Sequence, residues 1–364
     1  MRAVTLDKIA SVTRGCGLKR EVRLSDEIPC EEGVVVAVRV LTDKTTYNQL
    51  ELPSGRMAQV KRGDVLAGAL GHRSALFGYS GRLPERLAPG DTVNLLNLGG
   101  VLGICDSVNP DLGPPFACEV LGSVLSFPFL GQRIGKPARI GDGPLDLSPP
   151  LETRGVPVVA LVGSCMSAGK TAAACALVGE LTHQGMVVDG LKTTGVSLRR
   201  DVLAMEDSGA RRTAIFTDLG VVSTTPRNAA AVTRTLLTRL AAPPSPDVLV
   251  VELGDGLLGA YGVDAILADP EIRGAFTAVV LAANDPVAAW GGVQILRNDY
   301  GIEPVAVTGP ATDNLVGTRL IEERLGVPAF NARTAASGLA AVVAARLRRG
   351  AAAVAGAVGG GGGA

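Results

Sequence analysis

Aromatic residues are scarce: Phe, Trp and Tyr together make up 3% of the 364 residues. A core must therefore be built from Ala, Val, Leu and Gly, which suits tight helix-on-sheet packing. Neither sign of charge dominates, with Lys+Arg at 35, Asp+Glu at 35 and a formal net charge of +0. That balance gives no electrostatic footprint for a nucleic-acid or membrane-surface partner. The two histidines, His72 and His183, are too few for a His-rich metal site. None of the six cysteines (16, 30, 105, 118, 165, 175) falls in a Cys-x-x-Cys pair. A zinc ribbon and a disulfide scaffold are thereby excluded, and reduced, mostly buried thiols are expected. No apolar run approaches the ~18 residues of a membrane span, and Met1-Arg-Ala-Val-Thr-Leu-Asp-Lys8 lacks the apolar segment of a signal peptide. The expectation is a cytoplasmic protein.

What is present is a 47% hydrophobic chain long enough for two domains. Residues 1–133 read as a β-rich domain, a small barrel or sandwich of unassigned role. Gly33-Val-Val-Val-Ala-Val-Arg-Val40 is a strand-like run, and Arg62-Gly-Asp-Val65 and Pro89-Gly-Asp-Thr-Val93 are tight turns feeding strands. Residues 134–156, rich in Gly and Pro, read as a linker. From Pro157 to residue 349, apolar strand-like runs alternate with helical stretches. That pattern predicts an α/β, doubly wound, mostly parallel sheet. Strands are expected at 158–162, 187–191, 214–216, 247–252, 278–283 and 304–308. Helices are expected at 170–185, 201–209, 228–241 and 286–298, with a last one ending near 349. The Ala/Gly tail 350–364 reads as disordered.

The strongest motif is Gly163-Ser164-Cys165-Met166-Ser167-Ala168-Gly169-Lys170-Thr171, lying between a buried strand and a helix. Glycines let backbone amides approach phosphate oxygens, and the helix start adds a positive dipole end. Lys170 is placed to reach the β- and γ-phosphates, and the Thr171 hydroxyl to ligate Mg²⁺. Lys192 should emerge at the carboxyl end of a strand, where open α/β folds bind ligands. Glu252 ends another strand, and a buried carboxylate there demands a cation. Asp201 reads either as a metal ligand or as a helix N-cap. Asp255 and Asp218 read as turn residues or substrate contacts. Asn284-Asp285-Pro286 reads as a helix cap, and Asn314 as a turn residue or a contact to the nucleotide base. No Asn-Lys-x-Asp guanine signature occurs, so ATP is favoured over GTP.

The phosphate loop carries five residues between its glycines rather than four. This Gly-x-x-x-x-x-Gly-Lys-Thr spacing resembles dethiobiotin synthetase and its MinD-like and cobyrinic-acid-synthase-like P-loop relatives. Gly190-Leu-Lys192-Thr-Thr-Gly195 is similar to that group's Gly-Tyr-Lys-Pro-Val-x-x-Gly. Arg200-Asp201-Val-Leu-Ala-Met205 is similar to Ser-Asp-Ala-Leu-Ala-Leu, and Val250-Val-Glu252-Leu-Gly254-Asp-Gly256 to Val-Glu-Gly-Ala-Gly-Gly. The resemblance covers residues 157–330. It implies ATP and Mg²⁺ as cofactors, Lys170, Lys192 and Glu252 as catalytic residues, and Thr171, Asp201 and Glu252 as metal ligands. Thr193 replaces the family's proline, Leu253 and Asp255 replace small residues, and no pocket for a diaminononanoate chain is evident, so a different substrate is implied.

Three functions are compatible with these residues. The first is an ATP-dependent enzyme that phosphorylates or ligates a small molecule. The second is a nucleotide-dependent switch or maturation factor of MinD-like type, for which a homodimer is expected. The third is an acyltransferase on a P-loop scaffold. Thr194-Gly195 after the second strand is similar to the family that includes D-glutamate N-acetyltransferases.

Overall fold

The computed structural model describes residues 1–128, 131, 134–141 and 143–359, the last ten by backbone only. The chain divides into two compact units: Met1–Asp146 with Gly195–Arg200 and Ile215–Thr224, and Leu147–Thr194 with Asp201–Ala214 and Thr225–Ala364. It is an α/β protein with a large N-terminal sheet and a C-terminal, mostly parallel one.

In the first unit five strands close a ring. Ala117–Ser126 pairs antiparallel with Val35–Val40, which pairs antiparallel with Val65–Leu70. Val65–Leu70 lies parallel to Val101–Val108, and Thr92–Leu95 bridges antiparallel from Val101–Val108 back to Ala117–Ser126. The barrel-or-sandwich alternative thus resolves as a barrel, which leaves its ring strands no open edge. Gly63 and Gly90 take φ of +93° and +94° in the turns ahead of two of these strands, conformations a side chain resists. The interior is aliphatic, with Val36, Val38, Leu66, Leu70, Val93, Leu102, Val120 and Val124 among its buried members. No α-helix occurs among the described residues before Val158, only short 3₁₀ turns at Ser11–Cys16 and Pro110–Leu112. The segment expected as linker begins inside this unit: Lys136–Pro137 pairs with Ala117–Ser126, and Arg139 bridges Val34.

The second unit is built on a six-stranded sheet. Its order is Arg212–Ile215, Val188–Lys192, Val248–Glu252, Val158–Gly163, Phe276–Ala282, Ala306–Thr308. The pairings from Val188–Lys192 through to Ala306–Thr308 are all parallel. Val158–Gly163 is buried at every residue, as a central parallel strand must be when helices cover both faces. Val159, Leu161, Val248, Val250 and Val280 face a cluster with Ala173, Leu177 and Leu181 of helix Lys170–His183 and Leu339, Val343 and Leu347 of helix Ala336–Gly359. The alternate residues Val158, Ala160, Leu249, Val251 and Leu281 are equally buried. On that side lie helices Ala229–Ala241, Pro270–Ala275 and Pro286–Tyr300. Helices Val263–Ala268, Pro270–Ala275 and Leu315–Leu325 escaped the sequence pattern, the first two because each is only six residues long. The last helix continues to Gly359, across most of the segment read as a disordered tail, and residues 360–364 lie outside the described residues.

None of the six cysteines forms a disulfide, but only Cys118 is buried and the other five are half-buried. The expectation of mostly buried thiols is corrected on that point. No helix among the described residues is long and apolar enough to cross a membrane.

Candidate nucleotide site

Every candidate residue of the second unit lies at the carboxyl edge of its sheet. Strand Val158–Gly163 runs into the phosphate loop, which enters helix Lys170–His183 through Gly169 at φ +93°. Ser167 also holds a left-handed φ of +60°. Left-handed residues at such a turn aim successive amides at one point, and the first amides of the helix have no intrahelical acceptor. Such an arrangement suits an anion.

Lys170 is buried, and its ammonium donates to the Cys165 carbonyl at 2.8 Å and to the Asp255 carbonyl. The side chain crosses the loop directly over Gly163, where a Cβ would come 2.8 Å from Nζ. That first glycine is thus required by the lysine's path. Burial pushes the Lys170 ammonium below the ordinary lysine value, with Glu252 acting the other way.

Lys192 ends strand Val188–Lys192. Its ammonium donates to Asp201 and lies 3.6 Å from Glu252 Oε1. Asp201, read as a metal ligand or a helix N-cap, stands in the first turn of helix Arg200–Asp207 with its carboxylate paired to Lys192. Glu252 is 2% exposed and its Oε2 has no hydrogen-bond partner. Burial raises its carboxyl above the usual range, while Lys192, Lys170 and the Thr171 hydroxyl lower it. An orphaned buried oxygen beside a hydroxyl and a second carboxylate suits a hard cation with oxygen ligands. Thr171, Asp201 and Glu252 are the residues here that could hold such a cation.

Two neighbouring loops lock this arrangement. Thr194 Oγ1 donates to the Gly254 carbonyl at 2.9 Å, and the Leu257 amide to the Gly163 carbonyl at 2.9 Å. Asp255 sits at φ +74° and is buried. Neither of its oxygens completes a well-aligned hydrogen bond, although the Gly256 and Ala260 amides stand near. Burial raises its carboxyl as well. Left-handed backbone at a non-glycine residue is strain of the kind that collects at working sites. Thr193 Oγ1 and Ser164 Oγ are also buried without partners.

Beside the loop lies a cavity of about 80 Å³ lined by Ser167, Gly169, Gly309, Asp313, Asn331 and Arg333, among others. Asn314 is not among its lining residues. Its side-chain oxygen caps helix Leu315–Leu325, accepting from Val316 and Gly317. Asp313 and Asn331, which the sequence reading passed over, line the cavity. Asn331 donates to Asp313 Oδ1 at 2.8 Å and accepts from the Arg333 amide at 2.9 Å. No local pattern signals them, because 18 residues of chain separate the pair. Asn284, read with Asp285 as part of a helix cap, donates to Cys165 Sγ at 2.9 Å, while Asp285 alone caps the helix. Asp218 accepts from the Ile215 amide in the first unit and serves its own turn.

The second unit is thus an α/β fold in which a phosphate-loop motif joins the central strand Val158–Gly163 to helix Lys170–His183. No family model and no curated protein matches the chain. Among solved structures, a DUF1611 family protein from Anabaena variabilis is similar at 17% identity over 56% of this chain and 61% of that one, TM-score 0.40. The signal recognition particle receptor FtsY from Elizabethkingia anophelis is similar at 16% identity over 50% of this chain and 59% of its own, TM-score 0.37. The signal recognition particle 54 kDa protein from Aeropyrum pernix, in complex with GDP, is similar at 19% identity over 58% and 50%, TM-score 0.38. The chain thus spans between half and about three fifths of the length of these three proteins.

Proposed function

We propose that this chain binds Mg²⁺-ATP at its phosphate loop and transfers the γ-phosphoryl group to a small molecule, as a kinase or as the activating half of a ligase. The observation that carries the reading is the pair of buried ammonium groups, Lys170 and Lys192, that both act on the Glu252 carboxylate. Phosphoryl transfer needs little covalent help from a protein and a great deal of positioned positive charge. In the proposed reaction an oxygen of the acceptor bonds to the γ-phosphorus as the bond to the β,γ-bridging oxygen breaks, and ADP leaves with that electron pair. Lys170 moves from the Cys165 and Asp255 carbonyls to the β- and γ-phosphates. Lys192 steadies charge on the transferring group. Asp255, near Lys170, is available to take the acceptor's proton. Mg²⁺ held by Thr171, Asp201 and Glu252 would supply charge neutralisation to the phosphates. The closer likeness to dethiobiotin synthetase rests on the motifs alone, and its substrate is not carried over.

A nucleotide switch is the second reading, favoured by one observation. The segment Gly195–Arg200 follows directly on Lys192-Thr-Thr yet belongs to the first unit. A change at Lys192 would therefore pull on chain that the barrel holds.

The test is calorimetric titration of Mg²⁺-ATP and Mg²⁺-GTP into the wild type and Lys170→Ala. Binding by the wild type that the alanine variant loses supports the site, and ATP tighter than GTP supports the base choice. Undiminished affinity in Lys170→Ala sinks the assignment. Product formation from ATP only when a small-molecule acceptor is added separates the enzyme from the switch.

A further inference from the structure

Lys192 does more than face the phosphates. Its side chain is 11% exposed, and its ammonium is shared between the carboxylates of Asp201 and Glu252. These are two of the three residues that fit a divalent cation, and the third, Thr171, stands at Glu252. Glu252 turns Oε1 toward Lys192 and leaves Oε2 buried without a partner. A carboxylate pair in so dry a place repels itself unless a cation sits between. The ammonium is a compact point charge with three donors, so it meets that need from within the chain. A hard divalent cation requires the same oxygens and would have to take them from Lys192.

We propose that Lys192 is a resident counter-ion: it occupies the carboxylate pair Asp201–Glu252 and keeps divalent ions out until nucleotide phosphates offer it another partner. On this view Lys192 exchanges Asp201 and Glu252 for phosphate oxygen, and the carboxylates become metal ligands only then. Metal admission is thus coupled to nucleotide arrival through one side chain. What releases Lys192 rests on the nucleotide reading above, whereas the barrier it sets to a bare cation does not. The two can therefore fail separately.

The experiment titrates Mn²⁺ alone, without nucleotide, into the full chain as wild type, Lys192→Met and Lys192→Met/Glu252→Gln, following binding by calorimetry and by Mn²⁺ spin resonance. Removing one positive charge at contact distance should raise Mn²⁺ affinity by about tenfold or more. The wild type is expected to bind Mn²⁺ weakly and Lys192→Met tightly, with the gain erased by Glu252→Gln. Lys192→Gln, which keeps a donor toward Asp201 but no charge, should show the same gain if the methionine variant does not fold. Equal Mn²⁺ affinity in the wild type and both single variants overturns the inference, as does tight Mn²⁺ binding by the wild type without nucleotide. A wild type that binds no Mg²⁺-nucleotide, while Lys192→Met gains Mn²⁺ affinity, overturns the proposed function and leaves the counter-ion role supported.

Discussion

Gly256 lies so close to Ser164 that a Cβ on it would fall 2.6 Å from the Ser164 carbonyl oxygen and 2.8 Å from the Cα of Cys165. Backbone rather than a flexible side chain is what it would strike, so the phosphate loop itself would have to move. Gly256→Ala should cost about 1–3 kcal/mol of overpacking. Because the strain falls on the loop, nucleotide affinity should drop by about tenfold or more while the thermal midpoint falls by a few degrees. Calorimetry and thermal melts on the same preparation check both. Affinity at the wild-type level would show that the loop does not depend on this contact.

Asn331 ties the cavity wall together through Asp313 and the Arg333 and Thr334 amides. If the base of the nucleotide sits there, Asn331→Ala should weaken ATP binding and leave inorganic triphosphate binding unchanged. Loss of both ligands together would place the effect on the phosphate loop instead.

Glu51 is fully buried, and its carboxylate accepts from the Arg199 amide at 2.8 Å and the Arg200 amide at 2.7 Å. Two amide bonds to a charged acceptor make Glu51→Ala a costly change, about 3 kcal/mol. Denaturant unfolding should show the loss as a lower midpoint. Glu51→Gln should recover only part of it, since one side-chain oxygen is replaced by a donor.

Tyr79 is the most deeply set tyrosine of the first unit, its hydroxyl donating to the Gly113 carbonyl at 3.1 Å. Burial lifts its phenol from 10.0 to about 12, with Arg73 pulling weakly the other way. The folded form therefore holds this proton at a pH where the unfolded chain has lost it. Its stabilising effect is complete below pH 10.0 and is lost as the pH rises toward about 12. Absorbance titration should show one tyrosinate appearing late. In Tyr79→Phe that late step should vanish, together with the part of the alkaline stability loss that it causes.

The strand–loop–helix around Lys170 was legible because three local signals agree there: a β-branched run, turn glycines and an Ala-rich helix. Lys192 and Glu252 were placed by the same logic, as polar residues that end apolar runs. Asp201 stayed ambiguous because an N-cap and a ligand use the same residue type at the same helix start. The barrel's closure was invisible because pairing of Thr92–Leu95 with both Val101–Val108 and Ala117–Ser126 is a property of register, and turn residues do not encode it. Asn314 was read as a turn residue or a base contact because it follows a strand; an Asn directly before a helix is also a natural cap, and that is the role its side chain takes.

The membership of Gly195–Arg200 and Ile215–Thr224 in the first unit has a practical side. Neither half of this protein is one continuous stretch of polypeptide. A cut at residue 147 would strip the barrel of two of its own pieces and hand them, with no Glu51 to cap them, to a fragment that has no place for them. Recombination or truncation at the apparent border should therefore yield two damaged proteins rather than two modules, and an exchangeable barrel would need both insertions to travel with it.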